Sequence, residues 1–228
     1  MKKISFCSTC KGRLWQLKQT LPENIKKLDA LSEIVILDYF SDDGLKDYIF
    51  SNFYDFIESG KIKYFQMIED YAYTSSYAKN VAHKLATGDI LFNLDADNYI
   101  YDGLLYELRK LKDNQLFLPR LGLENEGILG RLGYTKNTFF RLNGYNENIV
   151  GMKGDDGYMR MKAHELKISV ITSSVRVKAI QNSLEQKELY VNDGVIKNYH
   201  MPSPPVDYPN KWGVAQVIDH NGNRITIT

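Results

Sequence analysis

The feature that most constrains the fold is the alternation of short apolar runs with amphipathic segments in the first part of the chain. The apolar runs are bounded by polar or glycine residues and are too short for helices, so they predict buried strands. They are Ile4–Cys7, Glu33–Asp38, Lys61–Phe65 and the run after Gly88 that leads to Asp95. Helical spacing of apolar residues marks the segments between them, Leu14–Leu21, Leu45–Phe56 and Tyr77–Leu85. Strand–helix alternation predicts a parallel sheet with right-handed crossovers.

The later part of the chain is less regular. Its predicted elements are a helix over Leu104–Leu111, a strand over Leu116–Leu118 ended by Pro119, a glycine-rich loop region over 122–133, a helix after Gly154, a strand over Ile168–Ile171, a helix over 183–190 and a terminal hairpin around Asn221-Gly222. We therefore predict an α/β fold with a mostly parallel central sheet flanked by helices. The predicted catalytic domain spans residues 1–180, and a small irregular extension, 181–228, packs on the same domain.

Composition excludes several classes of function. The hydrophobic content of 43% and the charged content of 25% are ordinary for a globular protein. A formal net charge of +1 provides no basic field for nucleic acid. No apolar stretch approaches membrane-spanning length, and Met1–Lys3 does not lead into a signal-peptide core. We expect a cytoplasmic protein without a membrane span, and peripheral attachment to a membrane stays open.

The cysteines and most histidines are assigned no chemistry. Cys7 and Cys10 have the spacing of some zinc and redox sites, but a structural zinc site needs two more strong ligands. Cys7 is placed at the end of the first strand and Cys10 in the turn beyond it. Two free thiols are the favoured interpretation. His83, His164 and His220 fall on helix or hairpin positions that we expect to be solvated.

The most informative candidate site is the pair Asp95 and Asp97, which directly follows a buried apolar run. Side chains two residues apart at a strand end point the same way, so the two carboxylates can converge beyond the sheet edge. Hard oxygen ligands of this kind suit Mg²⁺ or Mn²⁺ held jointly with the phosphates of a ligand. Ligands of open α/β sheets bind at the carboxyl ends of the strands. The competing interpretation is an acidic turn that only ends a strand.

Two further groups of polar residues stand near predicted element ends. Ser8, Thr9 and Arg13 lie in the polar segment after the first strand, where a nucleotide site and a solvated turn are both possible. Asp155 and Asp156 begin a predicted helix whose apolar face carries Met159, Ala163 and Leu166, and the helix dipole favours negative charge there.

The order of these features carries a resemblance to a known family. A strand ends in Asp38, a helix ends in Ala86–Asp89, Asp95-Ala96-Asp97 follows, and Asn143–Glu147 precedes Gly154–Asp156. From about Ile4 to Leu166 the chain resembles nucleotide-sugar glycosyltransferases of the GT-A fold, a Rossmann-like architecture, and is most similar to the inverting family 2 type. The segment from Asn143 to Asp156 resembles the C-terminal region of β-1,4-galactosyltransferases.

The resemblance implies a donor and metal site. Asp38 would bind the uracil or ribose side of a UDP-sugar. Ser8, Thr9 and Arg13, in the segment after the first strand, and Lys79 are further candidate donor contacts. Asp95 would contact ribose, or the metal through water. Asp97 would bind Mn²⁺ or Mg²⁺ directly, and His200 could complete the metal shell.

It also implies a reaction. Asp156 would be the general base and Asp155 would hold the acceptor hydroxyls during metal-dependent inverting transfer of a sugar to a glycan or glycoconjugate, as in polysaccharide biosynthesis. The chain departs from the family pattern at Asp155, where glutamate is usual, at Met152, where the galactosyltransferases have tryptophan, and in the aromatic pair after Asp38. Two alternatives stay open: a non-catalytic GT-A domain that binds nucleotide or glycan, and a sugar nucleotidyltransferase. The single glycine between Ser8 and Arg13 argues against the latter.

Overall fold

The computed structural model describes residues 1–69, 71–120, 130–149, 154–176, 179–180 and 203–228. The strands within these ranges are β1 (Ile4–Cys10), β2 (Ser32–Asp38), β3 (Ile62–Met67), β4 (Ile90–Asn93), β5 (Gln115–Arg120), β6 (Gly133–Thr135), β7 (Ser169–Arg176), β8 (Ala215–Asp219) and β9 (Arg224–Ile227). The helices are α1 (Leu14–Ile25), α2 (Leu45–Glu58), α3 (Ser75–Leu85), α4 (Leu104–Arg109), α5 (Lys136–Arg141) and α6 (Asp155–Glu165).

All these strands belong to one mixed sheet in the order β7-β5-β6-β4-β1-β2-β3-β8-β9. Its centre, β4-β1-β2-β3, is parallel, as strand–helix alternation requires. β6 runs antiparallel to both β4 and β5, and β8 runs antiparallel to both β3 and β9. The α/β prediction is confirmed, with parallel pairing at the core and antiparallel strands on both sides of it.

Two apolar clusters cover the two faces of the sheet. Adjacent residues of a strand point to opposite faces, and Phe6 and Cys7 of β1 accordingly belong to different clusters. The Phe6 side is covered by α1, α2 and α4, and the Cys7 side is covered by α3, α5 and α6. Helices on both faces leave the carboxyl ends of the central strands as the edge where polar side chains collect.

Several predicted boundaries are wrong for local reasons. β1 continues through the predicted turn to Cys10, because parallel pairing with β2 extends to the pair Cys10 and Asp38. Both cysteines therefore lie in the strand, where they are buried free thiols. α1 continues past Pro22, and its last residue, Ile25, is buried in the core. The predicted start of α2 at Leu45 is confirmed, directly after Gly44, whose φ of 84° occupies the left-handed region.

The later half holds a strand that the sequence did not predict. β6 begins at Gly133, where the stretch assigned to an irregular loop ends, and inserts between β4 and β5. β5 passes through Pro119 to Arg120, with a register shift between Leu118 and Arg120. The predicted terminal hairpin is confirmed, because β8 and β9 pair around Asn221-Gly222.

Other predictions lie outside the described residues, namely the helix over 183–190 and the role of Met152. The division of the chain at residue 180 stays a prediction. Within the described part of the chain, no helix combines the length and the apolarity that crossing a bilayer would demand.

Candidate active site

The turn after β4 carries Asp95 and Asp97 at the carboxyl edge of the central strands. The strand ends at Asn93 rather than at the first aspartate, and the backbone N–H of Asn98 donates to the Asp95 carbonyl at 2.9 Å. A turn, and not the pleat of a strand, therefore directs the two carboxylates. Asn93 Nδ2 donates to Asp95 Oδ1 at 3.0 Å, and Asn98 Nδ2 donates to Asp97 Oδ1. Flanking asparagines thus orient both acids.

Gly130 marks the point where carboxylates from distant parts of the chain converge. A Cβ at this position would lie 2.8 Å from Asp156 Oδ2 and 3.0 Å from Asp95 Oδ2. The Gly130 carbonyl accepts from Asn93 Nδ2 at 2.8 Å, which fixes the loop beside the end of β4. The absence of a side chain at residue 130 therefore leaves space between the two acids.

The acid pair of α6 is bound to a buried lysine of α3. Lys79 Nζ lies 2.7 Å from Asp155 Oδ2 and 3.0 Å from Asp156 Oδ1, and Ser75 Oγ donates to Asp155 Oδ2 at 2.8 Å. Burial raises the pKa of Asp156 above its usual value, and the nearby negative charges of Asp155 and Asp95 raise it further. The positive charge of Lys79 lowers this pKa but offsets the other effects only in part. Burial acts on Asp155 as well, but the Lys79 charge and the hydrogen bonds outweigh it and lower its pKa.

The polar side of α3 is buried, and the expectation that His83 is solvated is wrong. Lys79, Asn80 and His83 are at most 4% exposed. The reason is tertiary, since the rings of Tyr134, Phe139 and Tyr145 pack on His83 and the acids of α6 contact Lys79. Burial lowers the pKa of His83 to about 3, so its ring is neutral at physiological pH.

A hydrogen-bonded chain of three rings lies beneath the lysine. His83 Nδ1 is 2.6 Å from the Lys79 carbonyl, which can only accept, so Nδ1 carries the proton and Nε2 is an acceptor. Tyr134 Oη lies 3.2 Å from that Nε2 and donates to it. Tyr145 Oη, at 2.9 Å, then donates to Tyr134 Oη. The Lys79 ammonium lies 5.1 Å from the centre of the Tyr145 ring.

The Asn143–Glu147 motif joins α3 to the C-terminal segment. Asn80 accepts from the Tyr145 N–H at 2.7 Å and donates to Glu147 Oε1 at 2.7 Å. The Gly213 N–H donates to the same Glu147 oxygen at 2.7 Å. Burial raises the pKa of Glu147. In this structure the motif holds three separate parts of the chain together.

Asp38 lies at the end of β2 with both carboxylate oxygens engaged inside the protein. Its side chain is fully buried; Tyr64 Oη donates to Oδ2, and the Ser41 N–H donates to Oδ1 at 2.8 Å. Burial raises its pKa. The structure does not bring this residue into contact with the Asp95–Asp156 group.

The remaining predicted donor contacts are divided between the two faces of the sheet. Thr9 Oγ1 lies 3.2 Å from Tyr73 Oη on the side of α3. Ser8 is buried on the opposite face, where α1 packs, and Arg13 precedes the first turn of α1. Of these three, Thr9 is the residue that shares a face of the sheet with Lys79.

Sequence reasoning missed Gly130, Tyr145 and Arg131 as parts of this region. Arg131 is 1% exposed, and burial lowers its pKa to about 10 although the Asp95 and Asp97 charges act in the other direction. A charged residue between Gly130 and Leu132, in an otherwise apolar context, was the available signal. Tyr145 was named only as a member of a motif.

The residues present fit a divalent cation in part. Asp95 and Asp97 supply hard oxygen donors, and the space beside Gly130 leaves room next to Asp95. No three His, Cys, Asp or Glu side chains form a complete metal site within the ranges described. His200 lies outside those ranges. A bound ion would therefore depend on other ligands, such as donor phosphates, in addition to the two aspartates.

Comparison with known proteins identifies one family and one fold. The model of glycosyl transferase family 2 matches residues 5–149. A search of curated protein sequences finds no significant match. The mannosyltransferase PcManGT from Pyrobaculum calidifontis, in complex with GDP-Man and Mn²⁺, superimposes with a TM-score of 0.66 at 16% identity, over 90% of this chain and 66% of that one.

Two other solved structures share the fold at similar identity. S. aureus TarS in complex with UDP-GlcNAc gives a TM-score of 0.61 at 15% identity, over 83% of this chain and 62% of that one. A Drosophila β-1,4-galactosyltransferase 7 variant with manganese, UDP-Gal and xylobiose gives 0.57 at 14% identity, over 92% of this chain and 78% of that one. The chain thus spans less than two thirds of the length of the mannosyltransferase and of the TarS chain.

Proposed function

The chain belongs to glycosyl transferase family 2, and we propose that it is a metal-dependent inverting glycosyltransferase that moves a sugar from a UDP-sugar to a hydroxyl of a glycan or glycoconjugate. The observation that carries this proposal is the convergence of Asp95 and Asp156 on Gly130 at the carboxyl edge of the central strands. One acid comes from the turn after β4 and the other from the first turn of α6. Inverting transfer uses two such groups, one on the donor side and one on the acceptor side.

Asp156 is the proposed general base. Its carboxylate would take the proton of the acceptor hydroxyl while that oxygen forms a bond to the anomeric carbon. The bond from the anomeric carbon to the phosphate oxygen breaks in the same displacement, and the nucleoside diphosphate leaves with the electron pair. A buried carboxylate with a raised pKa is suited to accept this proton. Asp155, one residue before, is proposed to orient the acceptor hydroxyls.

Asp97 and Asp95 are the proposed donor-side ligands. A divalent ion, Mn²⁺ or Mg²⁺, would neutralise the charge that develops on the departing diphosphate. Asp97 would hold the ion directly, with His200 as a further candidate ligand. Thr9, Ser8, Arg13 and Asp38 are proposed donor contacts.

Two of the three solved structures compared above hold UDP-sugars and one holds GDP-Man, so UDP is the first donor to test. The resemblance of residues 143–156 to β-1,4-galactosyltransferases stays a prediction. The cytoplasmic location of the protein also stays a prediction. The acceptor is proposed only as a class of molecule, a glycan or glycoconjugate with a free hydroxyl.

The first test is calorimetric binding of UDP, GDP and CMP, each with and without Mn²⁺. Asp97→Ala should abolish the metal-dependent part of UDP binding, because it removes a direct ligand. Asp102→Ala is the matched control, since this nearby carboxylate has a side chain that is 89% exposed and should not affect binding. If no nucleotide shows metal-dependent binding to the wild type, the donor site is misassigned.

The second test separates catalysis from binding. With a UDP-sugar that the wild type turns over, Asp156→Asn should keep UDP–Mn²⁺ binding and lose transfer by a factor of about 10² or more. Glu165→Gln, at the exposed end of the same helix, should leave both unchanged. Retained transfer in Asp156→Asn would refute the base assignment. Binding without any transfer by the wild type would support the non-catalytic alternative.

A further inference from the structure

We infer that Lys79 is a positioning residue that holds the Asp155–Asp156 acid pair of α6, and that it does not bind the phosphates of the donor. This assignment replaces the donor contact that the sequence suggested, and it rests on the proposed function, in which Asp156 is the base. The ammonium lies within 3.0 Å of a carboxylate oxygen of both acids. It therefore joins α3 to the first turn of α6 across the candidate site.

Burial makes this arrangement hard to exchange for a phosphate contact. The Lys79 side chain is 5% exposed, as is that of Asp155, and that of Asp156 is 22% exposed. A lysine that turned towards a donor phosphate would leave two neighbouring carboxylates in a poorly solvated place without their cation. Removing one partner of a buried ion pair is strongly unfavourable, because the other charge stays buried and uncompensated. Lys79 therefore stays paired with Asp155 and Asp156 when a donor binds.

The surroundings of Lys79 also restrict its movement. Its carbonyl accepts from His83 Nδ1 at 2.6 Å, and its ammonium stands over the Tyr145 ring at 5.1 Å. Tyr145 is connected back to His83 through Tyr134 by hydrogen bonds of 2.9 and 3.2 Å. The three rings form a closed support around the lysine, and all three are fully buried. Such packing fixes one position of the ammonium and therefore of the two acids.

The charge balance at Asp156 explains what the lysine contributes. The groups that face this carboxylate are Lys79 from α3, Asp155 from its own helix, Asp95 from the turn after β4, and Tyr145. Lys79 is the cation among them, and it opposes two like charges. Without it, both burial and repulsion would favour the protonated form of Asp156, which cannot act as a base. Lys79 thus opposes protonation of the base as well as orienting it.

The test compares Lys79→Met with Lys84→Met, a lysine of the same helix that packs over Trp212, 4.3 Å from the ring centre. Calorimetry with UDP and Mn²⁺ gives donor binding, and UDP release from a UDP-sugar gives kcat and KM against pH. Positioning predicts that Lys79→Met changes the UDP dissociation constant less than about 3-fold and lowers kcat by about 10². It should also move the acid limb of the rate profile to higher pH by about 1 to 3 units. Lys84→Met should match the wild type in the UDP dissociation constant, in kcat and in the position of the acid limb.

If Lys79 instead binds the donor phosphates, the opposite result is expected for UDP binding and for the pH profile. In that case Lys79→Met would weaken UDP–Mn²⁺ binding by tenfold or more and leave the acid limb unmoved, and this result would overturn the inference. Lys79→Arg should restore most of kcat under the positioning role, because the guanidinium keeps the charge between the two acids. The wild type is the reference in every arm. If it binds no nucleotide and releases no UDP, the proposed function fails, and the inference fails with it.

A measurement on the wild type covers the case in which Lys79→Met does not fold. The ¹⁵N and ¹H signals of the Lys79 ammonium should keep their positions when UDP and Mg²⁺ are added, because its carboxylate partners stay in place. Carboxyl ¹³C titration of Asp156 in Lys79→Arg should then follow that of the wild type. A large shift of the ammonium signals on addition of UDP–Mg²⁺ would show a new phosphate partner and would refute the positioning role.

Discussion

His83 provides a prediction that needs no substrate. Its imidazole is fully buried among aromatic rings, and this burial lowers its pKa to about 3. In the unfolded chain the same group titrates near its ordinary value of about 6.5. Between these two values the unfolded chain binds a proton that the folded protein does not bind. The free energy of unfolding should therefore rise with pH across this window and fall as the solution is acidified.

The magnitude follows from the two pKa values. Each pH unit inside the window contributes up to about 1.4 kcal/mol, and at pH 7.5 the histidine is neutral in both states, so it contributes almost nothing. Acidification from pH 7.5 to pH 5 should therefore cost about 2 kcal/mol through His83 alone. Carboxylates change the stability over the same range, so the quantity to measure is a difference between variants.

The assay is urea unfolding of the wild type and His83→Gln at pH 7.5 and pH 5. Glutamine does not titrate, so the wild type should lose about 2 kcal/mol more than the variant between the two pH values. His164→Gln, at an exposed position of α6, should lose as much as the wild type. If His83→Gln and the wild type lose stability in parallel, within about 0.5 kcal/mol, the burial argument for His83 is refuted.

Two other substitutions test the contacts that assemble the site. Gly130→Ala places a Cβ 2.8 Å from Asp156 Oδ2 and 3.0 Å from Asp95 Oδ2, so both carboxylates must shift. Sugar transfer should therefore fall by about 10-fold to 10²-fold. The thermal unfolding temperature should change little, because the ends of the two side chains can move. Asn80→Ala removes the side chain that pairs with Glu147 and should cost about 2 to 4 kcal/mol in urea unfolding, since buried polar groups lose their partners; a loss under about 1 kcal/mol would show that water or another group replaces the amide.

The central part of the fold was predictable because its signals are local. Apolar runs of strand length alternate with helical spacing, and this alternation permits few topologies. The parallel pairing of β1, β2, β3 and β4 and the position of Asp95 and Asp97 at their carboxyl edge follow from that logic. The strand β6 could not be predicted in the same way, because a three-residue strand among glycines has no period to detect.

The positions of the acids in the candidate site were predictable, whereas the burial and the contacts of its basic and aromatic residues were not. Asp95, Asp97, Asp155 and Asp156 stand at element ends, where a sequence pattern marks them. Lys79 and His83 lie on the polar side of an amphipathic helix, which a pattern alone assigns to solvent. Asp38 was predicted for a nucleoside, and the structure shows it paired within the protein to Tyr64 and Ser41.

The sequence by itself determined which residues form the central strands and helices, and which carboxylates lie at their ends. Short-range periodicity and element ends are properties of neighbouring residues, so they can be read before the chain folds. Only the tertiary structure decided that Gly130 stands between Asp95 and Asp156, and that a lysine of α3 is buried against the acids of α6. These contacts join residues 26 to 77 positions apart in the sequence, and burial is set by what packs over a face rather than by the face itself.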